Sequence, residues 1–176
     1  MGKFAERWFL ENGRVVYPGY GVGTVTGFET RSMNGEDRTF VILTFEDAEN
    51  VSIVRIPVEN VEGVGLRPVS SPEAVDQAMA FVDSGAPDIV PSWKERFALH
   101  GEMLSDGHLF SVARVLKALW ILNNKKPLSF REKKMYQKAL LLLASEVAEA
   151  RSLPRQDAEL VILDSLKKAH PCPPPR

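Results

Sequence analysis

The chain has 176 residues, 44% hydrophobic and 26% charged, a balance that fits a folded globular protein and excludes wholesale disorder. No apolar run approaches the roughly 20 residues a bilayer span needs, the first residues lack the apolar core of a secretory leader, and a single cysteine, Cys172, allows no internal disulfide. A cytoplasmic protein without a membrane partner is therefore expected. The net charge of −1 hides an asymmetry: residues 1–70 carry 7 Lys/Arg against 10 Asp/Glu, whereas residues 94–138 carry 10 against 4, with Arg96, Arg114 and Lys117 among the cations. Such a local excess fits a polyanion partner for one region only, or equally a solvated helical face.

The first elements read as strands. Val15-Val16-Tyr17 is an apolar run stopped by the turn signal Pro18-Gly19. Residues 24–28 and 39–45 are rich in β-branched and aromatic side chains, and the Asn34-Gly35 pair between them favours the positive φ angles of a hairpin. Residues 51–56 form a further run ended by Pro57, and Val64-Gly65-Leu66-Arg67 reads as a last short strand. Five short strands in so few residues predict a small barrel, because a flat sheet of that size would expose an apolar face.

The period then changes to about 3.6. Ser71-Pro72-Glu73 combines an N-cap, a proline at the first helical position and a first-turn acid, with Val75, Ala78, Met79 and Val82 on one face behind it. Ser92 and Glu95 have capping-box spacing and predict a helix starting at Trp93. A third helix places Val112, Ala113, Leu116, Leu119 and Trp120 together and stops at Asn123-Asn124. Ser129-Phe130-Arg131-Glu132 is another capping box, opening a helix with Tyr136, Ala139, Leu140, Leu143 and Val147 inward. A last helix aligns Ala158, Val161, Ile162, Leu166 and Ala169. The expected organisation is α+β in two domains: an extension (1–8), an all-β barrel (9–68), an all-α domain of about five helices (69–169), and a disordered Pro-rich tail (170–176).

Several chemistries find no anchor. Gly19-Tyr20-Gly21-Val22-Gly23 is followed by a strand, whereas a phosphate loop must open a helix, so these glycines are read as a tight turn. His100 and His108 lie too far apart for helical pairing, and His170 and Cys172 stand in the tail. All four are expected to be solvent-exposed, with no metal and no cofactor. No serine sits in a strand–turn–helix elbow and no carboxylate pair stands out, so an enzyme is not expected. Trp93 is the informative residue. It falls in the first turn of a helix after a Pro-stiffened loop, flanked by Lys94 and Arg96 near free backbone N–H groups. Cations for phosphate beside an apolar plate for bases make a nucleic-acid contact. The same position also fits a hydrophobic staple with Trp93 packed on the first helix, and the local residues leave both open. Trp120 lies in an apolar stripe and is read as core; Trp8 precedes the barrel.

Taken in order, residues 15–23, 28–31, 53–60 and 64–67, then 93–97, 104–107, 112–116 and 128–135, resemble the CarD/CdnL family of bacterial RNA polymerase-binding regulators. The resemblance spans about residues 9–166. It implies a Tudor-like, SH3-like barrel that docks on the polymerase β subunit through Arg31 and Arg55. It also implies a helical domain whose Trp93 wedges into the promoter minor groove at the upstream bubble edge, with Lys94 and Arg96 on phosphates. The protein would then be a nucleoid-associated monomer that stabilises the open complex with little sequence preference. Glu95 stands where a basic residue can be found, and Arg14 where an acid is common. The alternative is a protein-interaction module that docks on polymerase or another partner without touching DNA. A third class, an enzyme using a cleft between the two modules, has no motif behind it.

Overall fold

A computed structural model describes residues 10–33, 35–46 and 50–169. Trp8, Asn34, the segment 47–49 and the tail with His170 and Cys172 lie outside the described residues. The chain divides into two units, residues 1–69 and 70–176.

The first unit has β1 (Arg14–Tyr17), β2 (Gly21–Met33), β3 (Glu36–Glu46), β4 (Val51–Pro57), a 3-10 turn (Val58–Asn60) and β5 (Arg67–Pro68). All pairings are antiparallel, in the order β4-β3-β2-β1-β5, which makes β4 and β5 the sheet edges. Val15, Val25, Val41, Leu43, Phe45 and Ile56 form its core, closed by Val58, Val61 and Leu66 from the segment after β4. The last strand is shifted from the expected 64–67, because Val64 and Gly65 belong to a turn in which Gly65 has φ 73°. Between β1 and β2 the glycines turn the chain as expected, with Gly19 at φ 81° and Gly21 at φ 86°. At Gly23 a Cβ would stand 2.5 Å from the Phe45 ring, so only glycine lets that ring close over β2.

One irregularity decides where a candidate site residue points. Val25 faces the core, and strict alternation would send Arg31 to the same side. A bulge between Val25 and Gly27, with Gly27 at φ 156°, inserts one residue and reverses the alternation. Phe28 then pairs with Val41 and Gly27 with Ile42, which puts Glu29 and Arg31 on the outer face. Beyond Phe40 only β2 and β3 pair, so Arg31 lies on a two-stranded ribbon whose Thr30 and Thr39 hydroxyls meet at 3.1 Å.

The second unit contains α1 (Pro72–Ser84), α2 (Trp93–Asp106), α3 (Leu109–Lys125), α4 (Phe130–Arg151) and α5 (Arg155–Ala169). Capping places the starts: Ser71, Ser92 and Ser129 each accept a backbone N–H three residues on. Gly107, at φ 70°, ends α2 in the left-handed conformation that glycine adopts without strain. The α1 residues Val75, Ala78, Met79 and Val82 are buried as the periodicity predicts. α3 is central: it packs on α1, α2 and α4, and Val115, Lys117 and Ala118 are buried along with the predicted stripe. Trp120 lies at the core's margin, stacked on Tyr136 with ring centroids 6.4 Å apart. Among the described residues, no helix is long and apolar enough to cross a membrane.

Candidate functional site

On the β unit, Arg31 and Arg55 converge on one carboxylate. Arg31 donates to Glu29 from Nε (2.9 Å) and Nη2 (3.1 Å), a bidentate pair, and Arg55 Nε donates to Glu29 Oε2 at 3.3 Å. The hydrogen bonds and charge of Arg31, then those of Arg55, hold the Glu29 carboxyl below its usual range. Two guanidiniums on one carboxylate leave a net positive charge, and both arginine side chains are exposed. Ile53, on the same face of the edge strand as Arg55, is itself exposed. An exposed β-branched residue beside oriented guanidiniums suits a protein partner that offers acidic or carbonyl acceptors.

On the helical unit, Trp93 opens α2 and is 43% exposed. Its ring stacks on Phe97, one turn along, at 5.7 Å and 23°. That is a stacked apolar plate on the surface, and α2 itself packs on α3 and α4. Lys94 and Glu95 beside it are exposed. Ser92 Oγ accepts the Glu95 N–H at 3.5 Å, one arm of the expected capping box.

Arg96, expected on a phosphate, is engaged within the helical unit. Its Nη1 donates to the carbonyls of Val90 (2.7 Å) and Pro91 (3.2 Å), and its Nη2 to Glu132 Oε1 (3.0 Å). The two side chains of this ion pair are 11% and 10% exposed. Other cations of the 94–138 excess are likewise engaged: Lys117 is fully buried, and Arg114 pairs with Asp88. Lys94, Lys125, Lys126, Arg131, Lys133, Lys134 and Lys138 remain exposed.

A second aromatic corner was not singled out in the sequence. Phe130, the first residue of α4, is 72% exposed, with Lys134 Nζ 4.7 Å over its ring. The signal was there: Ser92-Trp93-Lys94-Glu95-Arg96 and Ser129-Phe130-Arg131-Glu132-Lys133 share the order Ser, aromatic, cation, Glu, cation. Capping explains Ser and Glu in each; it does not explain an exposed aromatic followed by cations. The ion pair between Arg96 and Glu132 joins these two helix starts.

His100, expected at the surface, is buried and feels the charges of both Arg96 and Glu132. Burial, then the Arg96 charge, lower its pKa from 6.5 to about 4, opposed by Glu132. The folded protein therefore holds His100 neutral, whereas the unfolded chain protonates it near 6.5. Its contribution is complete above about pH 6.5 and is lost as the pH falls toward 4, amounting to about 3 kcal/mol. We predict that His100→Phe flattens this acid-side decline, seen as a smaller shift of the urea midpoint between pH 7 and pH 4 than in the parent protein. An equal shift in both would remove His100 as the cause. Among the described residues, no group of three His, Cys, Asp or Glu is arranged to hold a metal ion.

Comparison with known proteins gives these surfaces a context. Residues 9–70 match the family model of the CarD-like/TRCF RID domain, and residues 77–163 match that of the CarD C-terminal domain. The chain is also similar to YdeB of Bacillus subtilis (strain 168), whose name assigns it provisionally to the transcription factors. The two are 26% identical over 133 residues, 76% of this chain and 86% of that protein. With both domains present in one chain, in that order and over most of its length, the protein belongs to the CarD-like family of transcription regulators.

Proposed function

We propose that the protein joins RNA polymerase to promoter DNA and prolongs the life of the open complex. The β unit docks on the polymerase β subunit through the face carrying Arg31 and Arg55. The helical unit sets Trp93 against the minor groove at the upstream edge of the bubble, with Lys94 and the cations around Phe130 on nearby phosphates. The protein does this as a monomer and without a cofactor. Binding two partners from one chain raises the effective concentration of each, so neither contact has to be tight alone.

The observation that carries this reading is the exposure of Trp93 on a first helical turn, stacked on Phe97, with an ion pair joining its helix start to the one that carries the cation-flanked Phe130. A braced ring keeps its contact area without ordering on binding, and a plate of this kind is sequence-tolerant because every base step has a face to meet. Trp93→Ala is expected to shorten the open-complex lifetime gained with the protein by about tenfold, the scale of one lost aromatic–base contact. Polymerase capture by the same variant is expected to be unchanged. The check is the decay of competitor-challenged open complexes with and without the protein; an unaltered lifetime with Trp93→Ala overturns the wedge.

A further inference from the structure

We propose that Arg96 and Glu132 act as a positioning latch, holding the helix start that bears Trp93 against the helix start that bears Phe130 so that DNA meets both aromatics as one preset surface. The proposal rests on the reading that this unit contacts promoter DNA.

The Glu132 carboxylate is divided between two duties. Its Oε2 accepts the Ser129 backbone N–H (3.0 Å) and hydroxyl (2.7 Å), completing the capping box of α4. Its Oε1 accepts Arg96 Nη2 at 3.0 Å. Through Nη1, Arg96 in turn gathers the carbonyls of Val90 and Pro91, the two residues that lead into the N-cap of α2. One guanidinium thus fixes the approach to Trp93, and one carboxylate fixes the approach to Phe130. A pair this dry stays closed, because opening it strands two charges away from water. Burial pushes the Glu132 carboxyl up, but its bonds from Ser129 and Arg96 outweigh that and hold it ionised. The buried His100 nearby is neutral and leaves the pair without a competing cation. Lysine cannot replace this geometry, since a point charge does not reach two carbonyls and a carboxylate in one plane.

Two variants of the full chain test the latch, on a duplex with a single-stranded overhang that mimics the upstream bubble edge. Glu132→Gln keeps a capping side chain, because glutamine also closes the box. By charge alone, losing an acid near DNA tightens binding. The latch predicts the opposite sign, a loss of about three- to tenfold from surrendered preorganisation. Arg96→Lys keeps the charge, so a direct phosphate contact would survive it. The latch predicts a similar loss, with the slope of log affinity against log salt unchanged, where one lost phosphate contact lowers that slope by about 0.9.

Neither change is expected to weaken binding further in a Trp93→Ala background, which separates positioning from general damage to the fold. Tighter or unchanged binding by Glu132→Gln overturns the latch, as does parent-like affinity of Arg96→Lys. Should Glu132→Gln lose its helical circular dichroism, Arg96→Lys decides alone. If Trp93→Ala by itself leaves affinity intact, the DNA reading falls and the latch with it. If Trp93→Ala weakens binding and the latch variants do not, only the latch falls.

Discussion

Lys117→Ala is expected to destabilise the helical unit by about 3 kcal/mol, read as a lower urea midpoint of the signal at 222 nm. Lys117 is fully buried in the middle of α3, and its Nζ donates to the carbonyls of Phe81 (3.0 Å) and Val82 (2.8 Å). These carbonyls belong to the last turn of α1, which has no basic residue of its own. Lys117 supplies from another helix the cation that a helix C-terminus favours. Burial lowers the pKa of this amine, opposed by the charge of Asp83, while the Phe81 ring lies 5.8 Å from Nζ. Truncation to alanine opens a cavity along the buried stem and strands the Val82 carbonyl in an apolar setting. Lys117→Met keeps most of the stem and is expected to lose less, about 1–2 kcal/mol, through the missing donor alone. A midpoint unchanged by Lys117→Ala would show that the amine contributes nothing net to the joint between α1 and α3.

Arg55→Glu is expected to weaken polymerase capture by roughly 30-fold or more while leaving the melting profile near that of the parent, the scale set by removing one partner of an interfacial charge pair. The fold is spared because the Arg55 side chain is 44% exposed and its ion pair with Glu29 is a surface contact. The loss is large because reversal does more than remove a donor. It places a second carboxylate beside Glu29, so Arg31 is left to neutralise two acids and the face changes from net positive to net negative. Pull-down with purified polymerase, alongside DNA binding by the same variant, is the measurement. Undiminished capture would move the docking surface elsewhere on this unit. Unchanged DNA binding is expected, since the side chains proposed to meet DNA belong to the other unit.

Local chemistry made most of the elements legible. The three serine caps, the Pro18-Gly19 turn and the four-residue stripe of α1 lie where the chain alone places them, because each depends on neighbours within a few positions. The site was legible in part. Trp93 stands out because an aromatic in a first turn falls outside any core stripe. Phe130 does not stand out, because a capping box alone accounts for a helix start, although it repeats the pattern of residues 92–96. Arg31 reaches the outer face only through the bulge at Gly27, and a period-2 reading cannot see an inserted residue.

Arg96, His100 and Lys117 show where local reading stops. Each is a polar residue on a helix, and a helix considered alone has one wet side to receive it. α3 has neighbours on several sides, so Lys117 has no such refuge and finds carbonyls instead. Arg96 and His100 lie where α4 approaches α2, which turns a cation beside Trp93 into a brace behind it. The sequence by itself determined the order of modules and the serine-capped helix starts, and it left Trp93 open between an exposed plate and a packed staple. Tertiary structure decided which charges remain in water, because desolvation is set by groups that arrive from distant parts of the chain.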